Sequence, residues 1–429
     1  MKRSAGILVT SLIRSTWFCS LNRSRPWQVI FGSAAIGALG SFATHSILPA
    51  LSTIRADLQS DIGVTQLIVS LSLLSLGVGQ LFVAPLSDRY GRRPVILTGL
   101  LLYVLASIVA ASSAHIGGLI AARALQAFGC GASISVARAT LMDYFGPTRA
   151  ATGIAYTATA ILLVPMFAPT LGGYMAEYLG WRWIFVICAI LGAAVLIFNW
   201  IRIAETHPRG VSTGPAPRTL HSYRILLTSP DYLAFVAFGA FMMSAMYTVI
   251  TGAPYVVIEV MHLAPSTYGK LFLIPAIGSF TGFFLAARVG RRFGAMRLLG
   301  TGLCIGLLST AIMAALMLMH YWHPLAIFLP AMGLGFSNAL STPGSTSSAI
   351  ATHPTIAGAA SGLLGFTQLA LSAAGTQLVA HLADHTPVPF VLTVLAQVLI
   401  AAAIYLFIRK RRLHPAASPE YDGSETVTL

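Results

Sequence analysis

Charge is what this sequence has least of. Only 9% of its 429 residues are Asp, Glu, Lys or Arg, whereas 56% are hydrophobic. A soluble domain carries about 25% charged residues, and a soluble chain this long would divide into two or three domains, each needing its own polar surface. Twelve acids and twenty-six bases cannot coat such domains. Disordered chains are poor in large apolar residues, so disorder is excluded too. The solvent of most of this chain is lipid.

Cysteine is scarce as well. Cys19, Cys130, Cys188 and Cys304 are far apart, and three lie inside apolar runs. Their spacing offers neither a disulfide framework nor a metal set, and they read as small apolar filler. The net charge of +14 does not form one patch; the bases sit in short groups between apolar runs. That distribution argues against nucleic acid as a partner. Clustered acids and a nucleophile with its base are also missing, so the chain is not expected to be an enzyme. His320 and His323 form only a single imidazole pair. No cofactor and no metal are implied. The tails, at most about 26 residues, leave a sensor or receptor without a soluble signalling domain.

Long apolar runs are what the sequence does have. A bilayer core about 30 Å thick needs about 20 apolar residues in a helix. Twelve such runs lie near 27–51, 64–87, 95–113, 117–140, 151–176, 181–203, 231–256, 267–289, 296–319, 324–349, 356–380 and 388–408. Lipid leaves bare backbone groups unsatisfied, so each run is expected to be a helix. Pro49, Pro165, Pro169, Pro254, Pro275, Pro330 and Pro343 fall within these runs and predict kinks rather than ends.

Lys and Arg orient the spans. With both termini in the cytoplasm, 22 of the 26 bases fall on the cytoplasmic side. Arg55, Arg182 and Lys270 fall outside, and Arg123 lies within a span. Residues 1–26 begin with a basic end and a short apolar patch, but Arg14 ends the patch and no clear cleavage site precedes Arg23. They read as a cytoplasmic tail. The layout is then a six-span bundle over 27–203, a polar connector over 204–230, a second six-span bundle over 231–408 and a cytoplasmic tail over 409–429. Each half has a basic, glycine-containing turn after its second span, "SDRYGRRP" at 87–94 and "RVGRRFG" at 288–294. Such internal symmetry marks transporters built from repeated halves. The second copy has no acid matching Asp88.

The string "GQLFVAPLSDRYGRRP" (79–94) starts at Gly79 and carries Asp88, Arg89, Gly91, Arg92 and Arg93. It resembles the loop signature G-x-L-x-D-R-x-G-R-R of the major facilitator superfamily, with Ala84 for the leading glycine. In the fourth span, "RALQAFGCG" (123–131) resembles that family's R-x-x-Q-G-x-G run, with Ala127 for a glycine. In the fifth, "APTLGG" (168–173) resembles the G-P-x-x-G-G signature of its drug-exporting antiporters, with Ala168 for glycine and with Pro169, Gly172 and Gly173 matching. The stretch "STPGSTSSAIATHPTIAGAASGLLGFTQ" (341–368) is similar to the bicyclomycin and chloramphenicol resistance (Bcr/CflA-type) subfamily.

The resemblance covers roughly residues 30–405. It implies an all-α polytopic membrane protein with twelve transmembrane helices in two pseudo-symmetric six-helix bundles, the major facilitator fold. The implied function is secondary active efflux of small amphipathic molecules by proton antiport with alternating access. The expected setting is the bacterial inner membrane, as a monomer whose partners are a small-molecule substrate, protons and the bilayer. A dedicated exporter of an endogenous product such as a siderophore is the alternative, followed by an importer. Asp88 and its basic loop are expected to hold the halves together on the cytoplasmic face. The glycine pairs Gly278/Gly282, Gly302/Gly306 and Gly358/Gly362, like Gly172/Gly173, predict close backbone approach in lipid.

No acid falls in the middle of a span. Where the resembled exporters carry a carboxylate in the first span, this chain reads "THSILP" with His45. His45 and Arg123 are the intramembrane polar groups. Two readings of His45 remain: a proton-coupling group tuned by Arg123, or a neutral imidazole bonded to a backbone carbonyl. Cations without a carboxylate suit neutral or anionic substrates. Gln126, Tyr247, Thr251, Asn338 and Gln368 are candidate cavity residues, and interhelical hydrogen bonding is the competing role for each.

Overall fold

The computed structural model describes residues 25–206, 219–383 and 386–413. The first half comprises α1 (Pro26–Ser46), α2 (Leu51–Asp57), α3 (Ile62–Tyr90), α4 (Arg92–Ala111), α5 (Ile116–Gly146), α6 (147–178) and α7 (Arg182–Arg202). A short helix α8 (Thr219–Thr228) follows. The second half comprises α9 (Pro230–Pro254), α10 (Pro265–Leu271), α11 (Leu273–Phe293), α12 (Ala295–Leu318), α13 (Leu325–Ala351), α14 (Ala357–His381) and α15 (Val388–Leu413). No strand occurs among the described residues. Eleven stretches are long and apolar enough to cross a membrane among those residues. The run expected at 151–176 lies in α6. The fold is the all-α polytopic one that the apolar runs predict.

Local chemistry sets the helix limits. Pro26 opens α1 at a position whose N–H would have no helical partner. The expected first span, 27–51, is not one helix. It tightens to a 3₁₀ turn at Leu48–Ala50, where Pro49 supplies no N–H, and resumes as α2. After Pro254, α9 widens into a π turn, Tyr255–Val260. Pro330 and Pro343 stay inside α13.

The repeat is visible in the backbone. Gly91, between the second and third spans, has φ 95° and ψ 154°; Gly294, between the eighth and ninth, has φ 73° and ψ 158°. Both values favour glycine. Gly294 is thus the geometric counterpart of Gly91. On that register Arg291 stands where the first half has Asp88. The polar connector is not unstructured throughout, since α8 lies inside 204–230 and buries Leu226. Residues 207–218, both expected tails apart from their helical ends, and Asp384 lie outside the described residues.

The two halves meet along α3 with α14 and along α6 with α10 and α11. Outward faces carry exposed Leu105, Ile108, Ile197, Leu308 and Leu399, the surface expected against acyl chains. Glycine contacts correct one expectation. Gly278 and Gly282 lie on backbone carbonyls of α13, and Gly302 and Gly306 lie against Ser341 and Ser337. Gly358 faces open space, and Gly362 has only Leu81 at ordinary contact distance, so that pair supports no close helix approach. Gly358 sits in the first turn of α14.

Candidate transport site and gating contacts

The basic turn is tied into the first half. Arg92 is the hub. Its guanidinium reaches Asp88 at 2.6 Å, Asp143 of α5 at 2.9 Å and Ser87 Oγ at 2.5 Å. The free backbone N–H groups opening α4 need acceptors, and Glu205, beyond α7, supplies them. Its carboxylate accepts from Arg92 N at 2.9 Å and Arg93 N at 3.1 Å. Negative charge at a helix N-terminus is also favoured by the helix dipole. Gly91 leaves room for this contact, because a Cβ there would come within 2.6 Å of Glu205 Oε2. Arg89 lies over the Tyr90 ring at 5.5 Å, and Arg93 donates to the Trp200 carbonyl at 2.5 Å. Gly79 sits where α3 crosses α5, with the Phe128 carbonyl 2.5 Å from where its Cβ would be. Asp143 and Glu205 are partners the sequence does not announce; they come from points 51 and 113 residues away from Arg92.

On the opposite face the halves are joined directly. Arg55 at the end of α2 pairs with Glu259 in the π turn after α9. Thr170 of α6 donates to the Gly269 carbonyl of α10 at 2.8 Å, and Glu177 accepts from Ser266 N at 3.3 Å. Gly173 makes this packing possible, since an added Cβ would meet the Pro265 carbonyl at 2.6 Å. Gly172 packs on the Ser46 backbone of α1, and the Pro169 carbonyl lies against Gly269. Gln377 of α14 joins α3 twice, accepting from Ser70 at 2.9 Å and donating to the Gly63 carbonyl at 2.9 Å. Among the described residues, the ion pairs near Asp88 stay within one half, while Arg55–Glu259 crosses between halves.

The intramembrane polar groups divide between two surroundings. His45 is buried, and its Nδ1 lies 2.7 Å from the Ser41 carbonyl; a carbonyl only accepts, so Nδ1 carries the hydrogen in this pose. Its ring faces the second half, with Tyr247 and Phe272 centroids each 6.4 Å away. Arg123 is 2% exposed and turns into the first half. It donates to Gln126 Oε1 at 2.5 Å, Gln126 donates to Ser107 Oγ at 2.6 Å, and Ser107 donates to the Tyr103 carbonyl at 2.7 Å. The guanidinium lies 5.9 Å from the Phe185 centroid, and its Nε has no partner. A cavity the size of about one water, lined by Thr44, Tyr103, Arg123 and Gln126, joins this chain to α1. His45 follows Thr44 directly, yet His45 and Arg123 address different neighbours.

The other candidates are dispersed. Tyr247 lies beside His45. Thr251 bonds Thr376 of α14 at 3.1 Å, Asn338 accepts from Thr342 at 2.8 Å within α13, and Gln368 is buried with Nε2 unpartnered. Every described carboxylate lies at or near a helix end: Asp57, Asp61, Asp88, Asp143, Glu177, Glu205, Asp231 and Glu259.

The Major Facilitator Superfamily profile matches residues 30–376, most of the chain and both halves. The chain belongs to that superfamily. Multidrug resistance protein D of Escherichia coli is 29% identical over 358 residues, covering 81% of this chain and 87% of that protein. A bicyclomycin resistance protein homolog of Haemophilus influenzae is 27% identical, covering 88% of this chain and 95% of its own. Both relatives accord with the Bcr/CflA-type resemblance. Among solved structures, an inward-facing, unoccupied bacterial homolog of the human lysosomal transporter Spinster aligns with TM-score 0.72 at 18% identity, covering 92% of this chain and all of that one. A D-xylose–proton symporter also aligns at 0.72, with 14% identity and coverage of 89% and 97%. These structures establish the fold alone. As a facilitator-superfamily protein, the chain is a multi-pass secondary transporter of small molecules and not an enzyme.

Proposed function

We propose that this transporter exports small, neutral or anionic amphipathic molecules across the bacterial inner membrane by proton antiport, cycling between states open to either side. One observation carries the reading: described ion pairs and close glycine contacts join the halves on the face opposite Asp88, while the Asp88–Arg92–Asp143 set stays within one half. That asymmetry is what a single state of an alternating-access cycle requires. In the reciprocal state Asp88 leaves its own turn and meets the second half. The positive-inside bias supports placing the Asp88 face and both termini in the cytoplasm, and the transporting unit in this reading is a monomer.

Substrate preference follows from charge. The spans hold His45 and Arg123 and no central carboxylate among the described residues, which disfavours organic cations. The relatives' names, which concern multidrug and bicyclomycin resistance, support a drug-like amphipath as cargo. His45 is the proposed proton-coupling group, in contact with the second half through Tyr247 and Phe272. Arg123 acts on it through the α1–α5 contact at Thr44.

Proteoliposomes test this directly. An imposed proton gradient should drive chloramphenicol-like solutes against their concentration in wild type and leave quaternary ammonium dyes behind. His45→Ala should abolish gradient-driven accumulation but keep counterflow exchange. Accumulation by His45→Ala at the wild-type rate would remove His45 from the coupling step.

A further inference from the structure

Helices α4 and α7 pack closely where Gly192 meets the ring of Tyr103; a Cβ on Gly192 would lie 2.7 Å from that ring. Toward the Asp88 face they part. The gap is a crevice of about 240 Å³ lined by Leu97, Thr98 and Leu101 of α4 and by Leu196 and Trp200 of α7. It opens sideways. Trp200 is 62% exposed, and the surrounding Leu105, Ile197 and Ile201 are exposed apolar side chains of a lipid-facing belt. The walls present almost no polar group. Thr98 spends its hydroxyl hydrogen on carbonyls of its own helix, Pro94 at 3.0 Å or Val95 at 3.1 Å. A slot of this shape and chemistry takes an acyl chain.

The mouth has a different chemistry. Arg93 spans it, donating through one terminal nitrogen to the carbonyl of Trp200 at 2.5 Å. Its Nε is buried and has no partner. Arg202 lies two residues beyond Trp200 at the end of α7. Among the described residues the acid facing this end is Glu205, whose carboxylate is held by the backbone N–H groups of Arg92 and Arg93. Asp88 and Asp143 are engaged by Arg92. Arginine donors in a fork match a phosphate geometrically, and a base near the bilayer surface favours anionic headgroups.

We infer that the α4–α7 crevice is a binding site for an anionic phospholipid, one acyl chain lying between Leu97, Leu101, Leu196 and Trp200 and the phosphate on the Arg93 guanidinium. The site lies on the outer wall of the first half, away from His45, and does not depend on which solute is carried. It shares Arg93 and the α4 N-terminus with the Asp88 turn, so an occupied site braces the helix end that holds that turn.

Native mass spectrometry of the detergent-purified full chain, titrated with palmitoyl-oleoyl phosphatidylglycerol or phosphatidylethanolamine, tests the inference. Wild type should retain the phosphatidylglycerol adduct about fivefold better, the effect of one base on one anionic headgroup. Arg93→Gln should erase that preference while leaving weak binding of both lipids. Thr98→Phe, which fills the crevice without touching the charge, should lose both. A second measurement needs no change to the crevice walls beyond the probe itself. Brominated-chain phosphatidylglycerol should quench tryptophan emission more than brominated phosphatidylethanolamine, and Trp200→Phe should remove the excess. Equal retention of the two lipids by wild type overturns the inference. So does undiminished phosphatidylglycerol binding by Thr98→Phe, or displacement of the lipid by a hydrophobic drug at equimolar concentration.

Discussion

Arg55 and Glu259 form an ion pair between the two halves, on the face opposite Asp88, from positions 204 residues apart. Each is partly exposed, at 33% and 24% of the side chain, so the pair acts as a bias and not as a lock. Exposed pairs contribute about 0.2–1 kcal/mol. Glu259→Gln should therefore shift the population toward the state open on that face by at most about fivefold. Reactivity of a cysteine placed at Ser266 reports the shift, and the exchange Arg55→Glu with Glu259→Arg should reverse it. Unchanged reactivity in Glu259→Gln would assign the pair no part in closure.

Gly173 predicts a sharper effect. Its missing Cβ leaves space for the Pro265 carbonyl, and backbone moves less readily than a side chain. Gly173→Ala should cost the closed state about 1–3 kcal/mol, the usual range for overpacking. Transport should fall while the protein remains folded in detergent. Gly358→Ala is the control, because nothing lies within 4 Å of that position. It should leave transport intact and keep or raise the thermal midpoint.

Arg123 and Gln126 form a buried unit with Ser107. Gln126→Leu removes the acceptor that faces the guanidinium and should destabilise the first half by about 1.5–3 kcal/mol, as for loss of a hydrogen bond to a charged group. Arg123→Met combined with Gln126→Leu should be less destabilised than Gln126→Leu alone, because no unpaired charge remains. Thermal unfolding of these two variants and of Arg123→Met alone in one detergent measures the difference, and additive losses would show that the two side chains act independently.

Glu205 holds the start of α4. Glu205→Ala frees the Arg92 and Arg93 N–H groups and should cost about 0.5–2 kcal/mol, the range for losing an N-terminal cap. Protease sensitivity near Gly91 should rise. Glu205→Gln keeps one of the two acceptor oxygens and sets an NH2 donor against the other N–H, so it should recover only part of the loss; full recovery would show that a single acceptor oxygen is enough to hold the turn.

Much of the candidate site was legible as residue type and little of it as partnership. Asp88 and the Arg92–Arg93 bases stand out because their spacing is dense and local. Arg92 also engages Asp143 and Glu205, which looked like ordinary loop acids. Arg123 was legible as a costly charge in an apolar run. Its direction was not, because rotating the helix by a fraction of a turn decides between the interface and the interior of a bundle, and here Gln126 and Ser107 draw it inward. The pair Gly358/Gly362 has the spacing of a packing motif, yet no neighbour packs closely on the face of α14 that carries it.

The sequence by itself determined that the chain lives in lipid, that its apolar runs are helices, and that a glycine turn with bases recurs in each half. Those properties follow from local terms: transfer of side chains from water, satisfaction of the backbone within a segment, and the φ values open to glycine. Only the tertiary structure decided which face carries the ion pair between the halves, which acids meet Arg55 and Arg92, and where α4 and α7 part. These depend on contacts between residues far apart in the chain, and in lipid such contacts are chosen by shape and by the pairing of scarce polar groups, neither of which is written in the order of residues along one helix.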